Sequence, residues 1–209
     1  PRGCRPAVGN AFATNSVGAV QTALLVPVKS FGAAKRRLAP FVGDDARQRL
    51  ARWMAEGVIA AAGSLTTFVA CDDDDVAAWA EARGAIVLWG PGLGLNGAID
   101  HGVATVAGKG FDHVVIAHGD LPLPHSLPAV PQLNRIVLVP DRRRDGTNVL
   151  RRPCAVELPA DYGRGSFVRH LTAALATGAS VSVRADPLLA IDVDTIDDCR
   201  HPAVAAAFR

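Results

Sequence analysis

The sequence is poor in the features that mark most specialised protein classes. It has only 4 cysteines in 209 residues, Cys4, Cys71, Cys154 and Cys199. None forms a C-x-x-C pair, so neither a zinc site nor a disulfide framework is indicated, and a reduced, cytoplasmic setting fits best. No apolar run approaches the roughly 20 residues that cross a bilayer. The opening PRGCRPAVGNAFATNS lacks the long apolar stretch of a secretion signal. An excess of one charge is missing too: 22 Lys+Arg against 20 Asp+Glu leave +2, too little for a polybasic surface that would bind nucleic acid or membrane. What is present is apolar bulk. A hydrophobic share of 49% and a mean hydropathy of +0.20 exclude a disordered chain, and the length suits one domain. Residues 1–20 read as a disordered extension and 21–209 as the domain.

From Thr22 onward, short apolar runs alternate with helical spacing, which predicts an α/β fold: a single domain with a mostly parallel mixed sheet flanked by helices. Strands are expected at 22–28, 66–71, 85–89 and 113–118. Each is nearly continuous in apolar residues, as when both faces are covered. Leu50, Trp53, Met54, Gly57, Val58 and Ala61 recur at helical spacing behind Asp44 and Asp45, which read as N-cap residues. The second half predicts strands at 134–140, 147–152, 180–185 and 188–194, a helix near 166–177 and a closing helix from Thr195.

In open α/β sheets, ligands bind beyond the carboxyl ends of the strands, so the segments there carry the chemistry. After the first strand, VPVKSFGAAKRRLAP places Lys29, Lys35, Arg36 and Arg37 together without an acid between them, which suits a polyphosphate. Two of the only three lysines of the chain fall here, where a compact point charge has a use. The loop is not a P-loop, because G-x-x-x-x-G-K-[ST] is absent. After the third strand, GPGLGLNG contains a G-x-G-x-x-G at Gly92, Gly94 and Gly97. It sits at the wrong strand for a dinucleotide fingerprint, yet it lets a base or ribose approach the backbone. Asn96 offers an amide edge to a base or, more plainly, a helix cap.

The fourth strand runs into HGDLPLP, and an acid at that place, Asp120, suits a Mg²⁺ ligand. LLAIDVDT repeats the arrangement, with Asp192 and Asp194 at period-two spacing on one side of a strand. Three such carboxylates suit one or two hard cations. The Asp72 to Asp75 run reads as a solvated cap of the next helix. In YGRGSFVRHL, Gly163, Gly165 and Ser166 precede a helix, so free backbone N–H groups and the Ser166 hydroxyl could hold a small anion. His118 reads first as a structural histidine. His170 stands far from any paired Ser or Cys, and no G-x-S-x-G is present, which disfavours a nucleophilic hydrolase.

Taken in order, LLVPVKSFGAAKRRLAP, GLGLNGAI, AHGDLPL, DGTNVL, GRGSFVRHL and LAIDVDT resemble the CofC/FbiD guanylyltransferases of coenzyme F(420) biosynthesis. The resemblance runs from about residue 22 to 208. The pairing of D-G-T-N with G-x-G-S-F-x-R-H-L is its most specific part. It implies a GT-A-like, Rossmann-like nucleotidyltransferase fold and transfer of GMP from GTP to the phosphate of phosphoenolpyruvate or 2-phospho-L-lactate, with release of pyrophosphate. By the same resemblance, Asp120, Asp192 and Asp194 match two-Mg²⁺ carboxylates and Lys29 a phosphate-contacting lysine. Thr147, Gly163 and Ser166 match positions that hold the acceptor carboxylate, and Asn96 falls in the nucleotide-binding segment. D-G-T-G-T-N of the family is shortened here to D-G-T-N.

The chemistry is sound on its own terms. An acceptor phosphate is already ionised near neutral pH, so the task is to align it with the α-phosphorus and offset charge on the leaving group. Two metals would clamp the attacking and leaving oxygens, while Lys35, Arg36 and Arg37 contact the β- and γ-phosphates. The alternatives are a molybdenum-cofactor or sugar-phosphate nucleotidyltransferase, or a catalytically silent nucleotide-binding protein of the same fold. The choice among phosphoenolpyruvate, 2-phospho-L-lactate and 3-phospho-D-glycerate stays open, as does oligomeric state, a homodimer included.

Overall fold

The computed structural model describes residues 20–130 and 135–207. The expected N-terminal extension falls almost wholly outside them. Seven strands form one sheet in the order β3-β2-β1-β4-β6-β5-β7: β1 (Thr22–Pro27), β2 (Thr66–Cys71), β3 (Ile86–Trp89), β4 (His113–Ala117), β5 (Ile136–Pro140), β6 (Thr147–Pro153) and β7 (Val181–Val183). β1 pairs in parallel with both β2 and β4, and β2 with β3. β6 runs antiparallel to β4 and to β5, and β7 is again parallel to β5. Among the described residues the α-helices are α1 (Asp44–Ala61), α2 (Asp74–Glu81), α3 (Gly94–Gly108), α4 (Ser166–Ala176), α5 (Ile196–Cys199) and α6 (Pro202–Ala207). None is long and apolar enough to cross a membrane.

The continuous apolar runs of β1, β4 and β5 are buried along their whole lengths, because helices cover both faces of the central sheet. One core lies under α1 and α2, around Leu24, Val26, Val69 and Val115. The other lies under α3 and α4, around Leu25, Phe68, Ile116 and Leu138. Gly102 lets α3 settle directly on β1, since a Cβ there would stand 2.7 Å from the Leu25 side chain.

Three expectations need correction. β3 is an edge strand, so Ile86 and Trp89 are exposed rather than covered on both faces. The N-cap of α1 is Gly43, while Asp44 and Asp45 occupy its first turn, where carboxylates suit the helix dipole. Residues 188–194 form no strand. Leu189, Ile191 and Val193 are buried in alternation with half-buried Asp192 and Asp194, so the period-two pattern is real. The segment nevertheless joins no ladder and makes single backbone bonds, Arg142 N–H to Ala190 O and Val193 N–H to Asp120 O. The acidic run before α2 behaves as expected: Asp73 is the N-cap and accepts from the Val76 N–H.

Candidate active site

The carboxyl ends of β1 and β4 lie side by side, and the loops leaving them meet the extended 188–194 segment. Asp120 follows β4, with the two prolines and buried Leu121 and Leu123 behind it fixing the chain. Asp194 is fixed from the other side. Its N–H donates to Asp198 Oδ2 at 3.0 Å, and Thr195 caps α5 in a reciprocal capping box with Asp198. The buried Asp198 carboxylate is in turn ion-paired with Arg142.

Lys35 joins the two acids. Its Nζ lies 2.7 Å from Asp120 Oδ2 and 3.2 Å from Asp194 Oδ1, with the side chain only 7% exposed. The loop that delivers it is pinned to the core: Phe31 packs edge-on to Trp79 at 5.2 Å, and Arg47 donates to Ala34 O. Lys35 itself takes a left-handed backbone, φ 53 and ψ 39, a conformation a lysine holds only when its surroundings impose it. Burial pulls its pKa down, but the Asp120 and Asp194 carboxylates outweigh this and the net shift is upward. Burial likewise opposes ionisation of Asp120, and the Lys35 and His118 charges outweigh it, leaving that carboxyl below its ordinary range. Asp192 has no such cation. Burial first, then Asp120 and Asp194, push its pKa up to about 6.

Two clefts open on either side of this bridge. The first, about 310 Å³, is lined by apolar and small residues, Val28, Phe31, Ala33, Ala34 and Leu95, with Lys29 at its rim. The second, about 510 Å³, is lined by Thr147, Ser166, Gly163 and Arg164 together with Asp192, Asp141 and Asp145. Leu95, His118, Asp120 and Asp194 belong to both. The bridge is thus the partition between an apolar cleft and a polar one.

The sequence-predicted residues divide accordingly. Asp120, Asp192 and Asp194 converge on one junction. They do not stand as a ready ligand set: among the described residues no three His, Cys, Asp or Glu side chains are gathered closely enough to hold an ion, and the Lys35 ammonium sits between two of them. Lys29 is exposed and lines the first cleft. Lys35, expected on the β- and γ-phosphates, points into the acids instead. Arg37 reaches Asp194 at 3.3 Å from a mostly exposed position, and Arg36 is exposed on the surface. Asn96 does not cap α3, and its amide is turned to the backbone of Tyr162. Its Oδ1 accepts from the Tyr162 N–H at 2.8 Å and its Nδ2 donates to Tyr162 O at 3.4 Å, so it clamps the loop before α4.

The α4 N-terminus also departs from expectation. The N–H groups of Gly165 and Phe167 already donate to Asp145 Oδ1 and Asp145 O, and that of Ser166 to Gly163 O. These three N–H groups are therefore already engaged within the protein. Thr147 and Ser166 supply hydroxyls, and Thr147 N–H donates to Ser166 Oγ at 3.1 Å. Gly146 is required beside them, because a Cβ would stand 2.9 Å from Asp141 Oδ2, the carboxylate that closes the 141–146 turn by accepting the Gly146 N–H. Sequence reading undervalued His118, which lines both clefts and packs edge-on to Tyr162 at 4.8 Å. It also missed Arg164; the arginine two residues before Ser166 was the available signal.

Asp120, Asp192 and Asp194 offer only oxygen donors, the kind a hard divalent cation takes. Lys35 pairs with Asp120 and Asp194, Asp192 stands beside them in the second cleft, and that cleft adds Asp141 and Asp145 against Arg37 and Arg164. A multiply charged anion entering there needs further positive charge, and oxygen donors of this kind select Mg²⁺-like ions.

Residues 22–201 match the family described as guanylyl transferase CofC like. The chain is 34% identical over 194 residues to the phosphoenolpyruvate guanylyltransferase of Sphaerobacter thermophilus, covering 87% of this chain and 92% of that one. It is 32% identical over 187 residues to the 2-phospho-L-lactate guanylyltransferase of Methanothermobacter thermautotrophicus, covering 86% and 82%. Among solved structures, a Desulfovibrio desulfuricans protein assigned provisionally to the nucleotide-diphospho-sugar transferases superposes with a TM-score of 0.74 at 19% identity, over 91% of this chain and 94% of that one. The fold is that of the GT-A-like nucleotidyltransferases.

Proposed function

The chain belongs to the CofC-like guanylyl transferase family, and on that premise we propose that it transfers GMP from GTP to the phosphate of phosphoenolpyruvate or 2-phospho-L-lactate in a Mg²⁺-dependent reaction. The product would be an enolpyruvyl- or lactyl-diphospho-5'-guanosine of the kind used in coenzyme F(420) biosynthesis. The observation that carries the reading is the partition: a cleft with apolar walls and a rim lysine, and a cleft with hydroxyls and an arginine, share Asp120 and Asp194 as a common border. That is the arrangement needed to bring a nucleotide donor and a small acidic acceptor face to face.

The apolar residues of the first cleft receive the nucleoside, and Lys29 meets its phosphates. In the second cleft, Thr147, Ser166 and Arg164 hold the acceptor's carboxylate, leaving its phosphate toward the junction. An acceptor oxygen bonds to the α-phosphorus as the bond from that phosphorus to the β-phosphate oxygen breaks, and pyrophosphate departs. No general base is required, because the attacking oxygen carries no proton; alignment and charge do the work. Asp120, Asp192 and Asp194 would hold the Mg²⁺, which when bound offsets charge on the triphosphate and the leaving group. Lys35 keeps Asp120 ionised and holds Asp120 and Asp194 in register.

The test is a pyrophosphate-release assay with GTP, ATP or CTP against phosphoenolpyruvate, 2-phospho-L-lactate and 3-phospho-D-glycerate, with mass spectrometry of the product. Release with GTP and a three-carbon phosphoacid is expected. Turnover only with a sugar phosphate or molybdopterin, or nucleotide binding without release, contradicts the proposal.

A further inference from the structure

His170 lies on α4, fully buried, outside the lining of either cleft. Its two ring nitrogens have unlike partners. The Asp161 N–H donates to Nε2 at 3.1 Å, so Nε2 is an acceptor and the proton of the neutral ring resides on Nδ1. Nδ1 is 3.0 Å from Thr147 Oγ1, and its N–H therefore donates to that hydroxyl oxygen. The hydroxyl's own proton must then point elsewhere, and Thr147 lines the second cleft. Ser166 is arranged in parallel: its Oγ accepts from the Thr147 N–H, which leaves its proton to turn into the same cleft. Two neighbouring hydroxyls, both buried, each accept from a fixed N–H group, which orients them and leaves their protons for the cleft.

From this geometry we propose that His170 is a positioning residue for the acceptor: its Nδ1–H sets the Thr147 hydroxyl as a donor, and with Ser166 this makes a paired-donor cradle selective for a carboxylate. The inference rests on the acceptor assignment above and adds the reason why a carboxylate, rather than an amide or an alcohol, is taken there. Two O–H groups turned into the cleft are matched by a carboxylate, whose two oxygens are both acceptors, whereas an alcohol brings one oxygen and an amide one oxygen beside an N–H group.

Keeping the ring neutral is part of the device, since an imidazolium would have to donate from Nε2 as well, against the Asp161 N–H. Burial, opposed by the Asp161 carboxylate and reinforced by Arg169 and His118, brings the pKa of His170 down to about 4. The Tyr162 ring closes the remaining side at 4.5 Å.

The experiment combines kinetics with NMR on the full chain. His170→Phe is expected to raise the KM for phosphoenolpyruvate about tenfold, the loss of one hydrogen bond to a charged group. The KM for GTP and kcat should stay within about twofold. His170→Asn, whose Nδ2 donates in place of Nδ1, is expected to recover most of the loss. Long-range ¹H–¹⁵N spectra of the wild type are expected to show His170 neutral and protonated on Nδ1 at pH 6. An Nε2–H tautomer or an imidazolium at that pH overturns the proposal, as does an unchanged acceptor KM in His170→Phe. Equal losses in the Phe and Asn variants with the GTP KM raised alongside would assign His170 a structural role only. Wild-type protein silent with every three-carbon phosphoacid would sink the functional reading and the acceptor role of His170 with it, while the tautomer result would still stand as a fact about the ring.

Discussion

The two clefts share a border yet are built on opposite principles. Away from the shared border, the first is built mainly on one contiguous loop, residues 27–35, laid over α1, and it presents small and apolar side chains together with Lys29 and Lys35. The second is assembled from distant segments, 141–148, 162–166 and 192–194, and it presents carboxylates, hydroxyls and two arginines. On the proposed assignment of a nucleoside to the first cleft and a three-carbon acid to the second, the contrast teaches what each side must discriminate. A nucleoside is bound through area and a charged tail, which a single loop can supply. A three-carbon acid offers little area, so its recognition rests on a few polar atoms held by a network that spans the chain.

Substitutions can break this contrast in graded ways. The largest effect is expected at the shared border. Asp120→Asn removes the carboxylate common to both clefts and should lower kcat by at least about 10³-fold at saturating Mg²⁺, with an unchanged far-UV circular dichroism spectrum showing that the fold persists. Next come paired changes that should act on one side each. Lys29→Ala is expected to raise the KM for GTP about tenfold with little effect on the acceptor, and Thr147→Val the KM for the acceptor about tenfold with little effect on GTP. Crossed effects, each variant weakening both substrates alike, would show that the clefts are one site.

A smaller effect concerns stability. Asp192 titrates at about 6 in the folded protein against an ordinary 3.8. A raised carboxyl pKa favours folding below the unfolded value, and that contribution is lost as pH rises through about 6. At pH 7.5 in metal-free protein the ionised Asp192 therefore opposes folding, discounted by its partial exposure. Asp192→Asn should raise Tm by about 2–4 °C there and by nothing measurable at pH 3.5, as calorimetry in a chelating buffer would show. The smallest effect is expected at Arg37, whose pair with Asp194 is largely solvated. Arg37→Ala should change stability by less than about 0.5 kcal/mol in denaturant titration.

Much of the fold was legible because parallel strands covered on both faces carry their own signal: TALLVP and HVVIA are apolar at every position but one or two, and both are wholly buried. The 188–194 segment misled for the opposite reason. Alternation of Leu189, Ile191 and Val193 with polar neighbours reports which side faces the core, and it says nothing about whether a neighbouring strand is there to pair with. At the site, Asp120, Asp192 and Asp194 could be singled out because acids at the ends of apolar runs are conspicuous. The placement of Lys35 could not, since a lysine among arginines looks like a phosphate ligand until the fold sets it between acids 85 and 159 residues away. The same holds for Asn96 and His170. Each makes its decisive contacts with another loop, Tyr162 for the first, Thr147 and Asp161 for the second, and no local pattern encodes those meetings.

We propose that Asp120, Asp192 and Asp194 act as one cation site at the boundary of the two clefts. Isothermal titration of Mg²⁺ into GTP-saturated wild-type protein, and into Asp120→Asn, Asp192→Asn and Asp194→Asn, tests it most directly. The account predicts that each single substitution weakens Mg²⁺ binding by at least about tenfold. Wild-type affinity in Asp120→Asn together with Asp192→Asn would contradict it.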